Sequence, residues 1–283
     1  MPIISKIIIY PFKSLPGIEV SAARFTAAGS LAGDREFAFE SPDGRVVNAK
    51  RLAEIHKIRA EYNLPKRTIT LWSEAFPEKT TFSWDHQQQE LAAWVSRQLG
   101  IPGIRLKREA ERGFPDDWRS PGPTIVGRAT LEAAGRYFNP VIGLDEMTRR
   151  MRPNIIMASV EPYWEDTLYG AEGMGGLLNL GRNELIVTNP CSRCVVPTRN
   201  PETGVVTDQF MKKFMERRRA TLPRHLQQDP RFEKNSYRLT VNVLGPNGGI
   251  VKVGDGVKIG AEMKLGDFHG KTSTALKSLG SSI

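Results

Sequence analysis

The apolar residues of this chain come in short runs, each closed within a few positions by Gly, Pro, Asp or Asn. Such punctuation admits many short strands and few helices, so the expected fold is mostly β, a sandwich or barrel with a few peripheral helices. Ile3, Ile7 and Ile9 begin one strand, and Phe37 and Phe39 alternate with their neighbours in another. Ser41-Pro42-Asp43-Gly44 then predicts a hairpin into Arg45–Lys50, and Ile69 and Leu71 share one face of a further strand. Asp85 stands where an N-cap would start the first helix, with Leu91, Trp94, Val95 and Leu99 at helical spacing before Gly100.

From Arg112 to Thr124 the composition turns to Gly, Pro, Asp and Trp, the best place for a domain boundary. A short helix over Leu131–Phe138 is expected next, then strands in Asn154–Ser159, Gly176–Leu180 and Glu184–Asn189. Thr207 or Asp208 would cap a helix whose Phe210, Met211, Phe214 and Met215 read as core packing. Arg217-Arg218-Arg219 ends that helix, where cations suit the dipole. Closing strands are expected in Tyr237–Val243, Gly249–Asp255 and Gly256–Gly260, before a small, polar tail that reads as disordered.

Of 283 residues, 40% are hydrophobic and 25% charged, the balance of a globular protein of one large or two ordinary domains. No apolar run approaches the roughly 20 residues of a membrane-spanning helix. The first residues lack the pattern of a signal peptide, so a cytoplasmic location and no membrane partner are expected. A net charge of +9 favours anionic partners. No zinc finger, RNP-like aromatic pattern or helix-turn-helix supports nucleic acid as that partner.

The chain owns two cysteines, in Cys191-Ser192-Arg193-Cys194. Structural zinc wants four ligands, and neither a second such pair nor ligand-spaced histidines are present among His56, His86, His225 and His269. A thioredoxin-like dithiol wants a helix behind the first cysteine, which Val195-Val196-Pro197 opposes. Two readings stay open: inert thiols in the interior, or one soft thiolate for a metal whose other ligands come from a cofactor, with Arg193 favouring the thiolate. Lys13 and Ser14, fixed between Pro11 and Pro16, would present an ammonium and a hydroxyl that suit a phosphate. Arg35 would complete an anion clamp, or else pair with Asp34 or Glu36. Arg150, Arg152 and Asn154 offer further polar contacts at a strand entrance.

Taken in order, Tyr10–Gly17, Gly33–Glu36, Arg150–Asn154, Cys191–Gly204 and Val251–Asp255 resemble the MOSC superfamily, named for the C-terminal domain of molybdenum cofactor sulfurase. More narrowly they resemble two-part proteins such as the mitochondrial amidoxime-reducing component and its bacterial relatives. The resemblance implies an N-terminal β-barrel domain over 1–105, a MOSC β-barrel domain over 115–262 and a disordered tail over 263–283. It implies a molybdenum cofactor, a pterin dithiolene with a terminal phosphate, held between the halves. Lys13, Ser14 and Arg35 fall at the phosphate end, and Arg152 and Asn154 where the family contacts the cofactor. Thr130 and Asn242 fall near the pterin, Ser192 and Arg193 flank the site, and Cys194 matches the thiolate that ligates molybdenum. The implied activity is two-electron reduction of N-hydroxylated compounds such as amidoximes, hydroxylamines and N-hydroxylated bases; the alternative is a cofactor or sulfur carrier without turnover. No iron–sulfur cluster and no pyridoxal phosphate are expected, so a separate electron-transfer protein (flavin, haem or iron–sulfur) would supply electrons. Pro197 and Arg199 depart from the relatives' pattern, and Arg199 would add positive charge at the pocket mouth.

Overall fold

The structure is a computed structural model that describes residues 1–265. In the N-terminal half, strands β1 (Ile3–Ile9), β2 (Ile18–Val20), β3 (Ala22–Arg24) and β4 (Phe37–Glu40) precede an antiparallel meander of β5 (Arg59–Asn63), β6 (Thr68–Trp72) and β7 (Thr80–Ser83). Helix α1 (Gln88–Leu99) and strand β8 (Arg105–Arg108) follow. The two-residue period of β6 buries Ile69 and Leu71 completely. They meet Leu91, Trp94 and Val95 of α1 around a stack in which Phe12 and Phe37 lie 4.9 Å apart.

Two local expectations fail here because distant partners take the groups involved. Asp85 does not cap α1: its carboxylate takes Arg67 Nε at 2.6 Å and Nη2 at 3.0 Å, and the capping position falls to Gln87. The turn at Ser41–Gly44 closes only an isolated bridge, Glu40 to Val46, because β4 ladders with the distant β8 instead. Gly100 ends α1 in the left-handed region, φ 65°, as a glycine C-cap does.

The second half holds β9 (Thr124–Gly127), α2 (Arg128–Gly135), α3 (Leu144–Met151) and β10 (Ile155–Ala158). Then come β11 (Met174–Leu180), β12 (Asn183–Ser192), α4 (Phe210–Thr221), α5 (Arg224–Gln227) and α6 (Pro230–Lys234). Strands β13 (Arg238–Leu244), β14 (Ile250–Lys252) and β15 (Val257–Lys264) complete it. One eight-stranded sheet runs in the order β15-β11-β12-β13-β9-β10-β1-β2, with β14 paired to β3. The mostly-β expectation holds. The sheet curls until Ile3 bridges Gly256, but no ladder closes a barrel among the described residues.

Strands β1 and β2, from the chain's first twenty residues, are therefore built into the sheet of the second half, β1 lying antiparallel to β10. Helices α2 and α3 carry the crossover between the parallel pair β9 and β10, the geometry a parallel pair requires. Helix α2 stops at Gly135, short of the expected Phe138. Helix α3 has no clear sequence signal, because only Met147 and Met151 mark its buried apolar side. Gln209 rather than Thr207 or Asp208 occupies the capping position of α4, since the Thr207 hydroxyl already accepts from Arg150 Nη2 at 2.8 Å. Phe210 and Phe214 are core residues, but Met211 is 39% exposed. Arg218, read from sequence as one of three cations suiting the helix end, is only 2% exposed and pairs with Asp166. Lys264 still belongs to β15, so the expected tail begins too early, and 266–283 lie outside the described residues.

Candidate functional site

Two residues of the first half, one shortly after β1 and one just before β4, take unusual backbone conformations. Ser14 (φ 72°) and Arg35 (φ 52°) are both left-handed, an arrangement costly for non-glycine residues and worth a functional look. The Ser14 hydroxyl accepts from the Ala49 N–H at 3.1 Å. Lys13 Nζ donates to the Phe114 carbonyl at 2.7 Å and to Asp116 Oδ1 at 3.0 Å. Burial draws the Lys13 ammonium below the usual lysine range, against the attraction of Asp116. Arg35 pairs with Asp34, donates to Asn154 Oδ1 at 3.2 Å and lies 5.0 Å from the Tyr10 ring centre.

The second half supplies the opposite wall. Arg152 closes α3 in the left-handed region, φ 49°, with its guanidinium 4.1 Å from the Tyr10 ring centre. Among the described residues no carboxylate pairs with it; burial, with Arg35 adding repulsion, holds it below the usual arginine range. Asn154, only 1% exposed, is committed to the fold, donating to the Ile8 carbonyl at 3.0 Å while its oxygen accepts from Thr124 and Arg35. Its direct reach is to Arg35, which it positions.

Strand β12 carries Pro190 at a shift in its register with β13, where a proline's missing donor is tolerated, and delivers the cysteine segment to the cleft edge. Cys191 and Cys194 are both half-buried. Arg193 sits between them, with Nη2 donating to the Met151 carbonyl at 2.5 Å. Its Nη1 lies 3.1 Å from the sulfur of Cys191, and its charge is felt by both sulfurs. Arg193 Nε is buried without a partner among the described residues. Ser192 is exposed, its hydroxyl accepting from Asn235 Nδ2 at 3.4 Å. Asn242, on β13, donates to Asn189 Oδ1 at 2.8 Å and Asp117 Oδ2 at 3.2 Å.

These residues converge on one cleft of about 1390 Å³ between the halves, lined by Lys13, Ser14, Arg35, Arg152, Asn154, Ser192, Arg193, Cys194 and Asn242. Thr130 does not reach it. Its side chain is fully buried, donating to Glu165 Oε2 at 2.9 Å and accepting from the Tyr163 N–H at 2.7 Å, so its hydroxyl is spent on the 163–165 segment packed against α2. Pro197 is buried with its carbonyl taken by Arg150, and Arg199 is half-buried, with its charge acting on His56 of the cleft wall. Among the described residues no group of three or more His, Cys, Asp or Glu could hold a metal ion.

Sequence reasoning missed Asp116, Asp117, Asn189 and His56 in the cleft wall. The 112–124 segment reads as a linker by composition, although its paired aspartates beside a tryptophan were a signal. His56 Nε2 is buried with no partner among the described residues. Burial, then the charges of Arg152, Arg199 and Arg150, push the imidazole down to about 4.

Residues 1–102 match the MOSC N-terminal beta barrel domain, and residues 132–258 match the MOSC domain. Molybdenum cofactor sulfurase of Drosophila grimshawi is 26% identical over 233 residues, covering 72% of this chain but only 29% of that protein's length. Mitochondrial amidoxime-reducing component 1 of Homo sapiens is 27% identical over 292 residues, covering 90% of this chain and 82% of the relative. Mitochondrial amidoxime reducing component 2 of Bos taurus is 25% identical over 235 residues, covering 72% and 68%.

Proposed function

We propose that this chain, which belongs to the MOSC family through both of its matched domains, is a molybdenum-cofactor oxidoreductase that reduces N-hydroxylated compounds. The observation that carries the reading is the meeting of the Cys194 thiol with Lys13, Arg35 and Arg152 in one cleft, where Arg152 has no carboxylate partner among the described residues. The residues fit an anionic, sulfur-chelated group. A soft metal takes a thiolate, a phosphate takes ammonium and guanidinium donors, and the buried nitrogens of Arg193 and His56 are still without partners.

In this reading Lys13, Ser14 and Arg35 hold the phosphate end, Asn154 keeps Arg35 aimed, and Arg152 neutralises further negative charge. Cys194 would bond the metal, with Arg193 braced on the Met151 carbonyl to fix the loop. When bound, the cofactor supplies two-electron redox chemistry at its metal. The reaction R–NH–OH + 2e⁻ + 2H⁺ → R–NH₂ + H₂O cleaves the N–O bond and releases its oxygen as water. The protein's part is orientation, charge and exclusion of bulk water. A separate electron-transfer protein, of flavin, haem or iron–sulfur type, would provide the electrons, and the net positive charge suits an acidic donor.

The test is elemental analysis of protein from a cofactor-making host, with turnover of a hydroxylamine by an artificial electron donor. Molybdenum near one per chain and turnover lost in Cys194→Ser, with unchanged circular dichroism, support the reading. Normal turnover in that variant removes Cys194 from its role. Metal without turnover in the wild type points to the carrier that the similarity to a sulfurase also allows.

A further inference from the structure

The segment joining the halves is pinned at both ends. Gly113 (φ 66°) passes so close to the first half that a Cβ there would meet the Asp34 carbonyl at 2.6 Å, and the Phe114 N–H donates to the Arg35 carbonyl at 2.9 Å. At the far end the Ser120 and Thr188 hydroxyls hydrogen-bond at 2.7 Å. Between these pins, residues 115–119 are hydrogen-bonded to the rest of the described molecule through two carboxylates. Asp116 Oδ1 accepts from Lys13 at 3.0 Å and from Lys50 at 3.3 Å. Asp117 Oδ2 accepts from Asn242 at 3.2 Å and Asn189 at 3.5 Å. The charges of Lys13, Lys50 and Arg35 outweigh the partial loss of water around Asp116 and hold its carboxyl well below the usual range. Trp118, 58% exposed, rides on the same segment.

The two aspartates thus sit on the very groups that a phosphate-bearing ligand would use, one in each half. We propose that Asp116 is a resident counter-ion: its carboxylate occupies the Lys13–Lys50 ammonium pair until a phosphate displaces it, and residues 115–119 move as the ligand seats. This deepens the reading above and rests on its placing of an anion at Lys13. The physical reason is competition. A phosphate carries about 1.5 to 2 negative charges at neutral pH against one on Asp116. It therefore gains more from two ammonium groups than the carboxylate it replaces. The Asp116 side chain is 61% exposed, so water can solvate it as it leaves and the displacement is easy to reverse. Asp116 and Lys13 together would let the cleft hold its charges without a ligand and exchange them for one.

The probe is inorganic pyrophosphate, titrated calorimetrically into the full chain and followed by tryptophan emission, with Trp118→Phe assigning the signal. Wild type should bind with a change in Trp118 emission. Asp116→Asn should bind about three- to tenfold tighter at low salt, a gain that shrinks as ionic strength rises. Asp116→Glu, which keeps the charge, should stay near wild type, and Lys13→Ala should bind far more weakly. Equal or weaker binding by both Asp116→Asn and Asp116→Ser overturns the proposal, as does an absence of pyrophosphate binding in every variant. These titrations need no molybdenum. A wild type without metal or turnover would sink the functional reading whatever they show, and an unmoved affinity would sink the counter-ion alone.

Discussion

The molecule has two clusters of charge, built from the same residue types to opposite ends. In the interior of the second half, Arg218 and Asp166 are each about 2% exposed and face one another. Tyr169 donates to Asp166 Oδ1 at 3.1 Å, and the rings of Tyr163 and Phe232 cover the guanidinium at 4.9 and 5.4 Å. In the cleft, Arg152 also lies on a ring, that of Tyr10, but no carboxylate among the described residues answers it. A cation matched and sealed in the interior serves the fold, because its desolvation is already offset by its partner. A cation without a carboxylate partner in a cavity between two halves is open to charge from outside the chain. Pairing, more than burial, separates the two roles.

The largest effect should come from breaking the matched pair. Arg218→Met leaves the Asp166 carboxyl sealed without its cation, at an expected loss of about 3–5 kcal/mol in urea unfolding. Arg218→Met with Asp166→Leu should recover most of it, since both desolvated charges then go together. A single variant as stable as wild type would show that the interior cluster is no more structural than the cleft.

That contrast was only half legible in the sequence. Period-two strands such as β6 and the glycine stop of α1 follow from local chemistry, so they could be read directly. The cleft residues near Lys13, Arg35 and Cys194 could be singled out because their order resembles a family. What sequence cannot carry is who pairs with whom. Arg218 looked like one of three arginines serving the helix dipole because Asp166 is 52 positions away in the chain. Thr130 looked like a ligand contact because its use by Glu165 and Tyr163 is a tertiary fact. Asp116 and Asp117 looked like linker residues for the same reason.

The two regions should also titrate with opposite sign. Glu165 is pushed up to about 7 by burial and then by its neighbour Asp166. Its folded form keeps a proton that the unfolded chain loses near 4.5, so its contribution is full below that pH and disappears as pH rises through about 7. The limit is about 3 kcal/mol, at some 1.36 kcal/mol for each tenfold change in proton affinity. His56, pushed down to about 4, works the other way: the unfolded chain protonates first, so its contribution is present above about 6.5 and is lost as pH falls toward 4. Unfolding free energies of wild type, Glu165→Gln and His56→Gln, measured from about pH 4.5 to about 8, separate the two. Glu165→Gln should lose the decline toward alkaline pH, and His56→Gln the decline toward acid. Parallel curves for all three would mean that neither region's charge balance is coupled to folding.

The smallest effect on stability should come from the cleft arginine, and its smallness is the point. Arg152→Met gives up a ring contact worth about 2 kcal/mol where desolvated but also relieves an unpaired buried charge and repulsion from Arg35, so unfolding without added anion should move by no more than about 1 kcal/mol. The left-handed backbone at this position strains methionine as it strains arginine, so the substitution adds no new cost there. Pyrophosphate affinity should fall by about ten- to a hundredfold, the loss expected for one charge-assisted contact of about 1.5–3 kcal/mol. Stability unchanged with binding lost is the behaviour of a charge held for a ligand. Stability lost by several kcal/mol with binding intact would place Arg152 beside Arg218 as a brace of the fold, and the difference between the two clusters would then lie in burial after all.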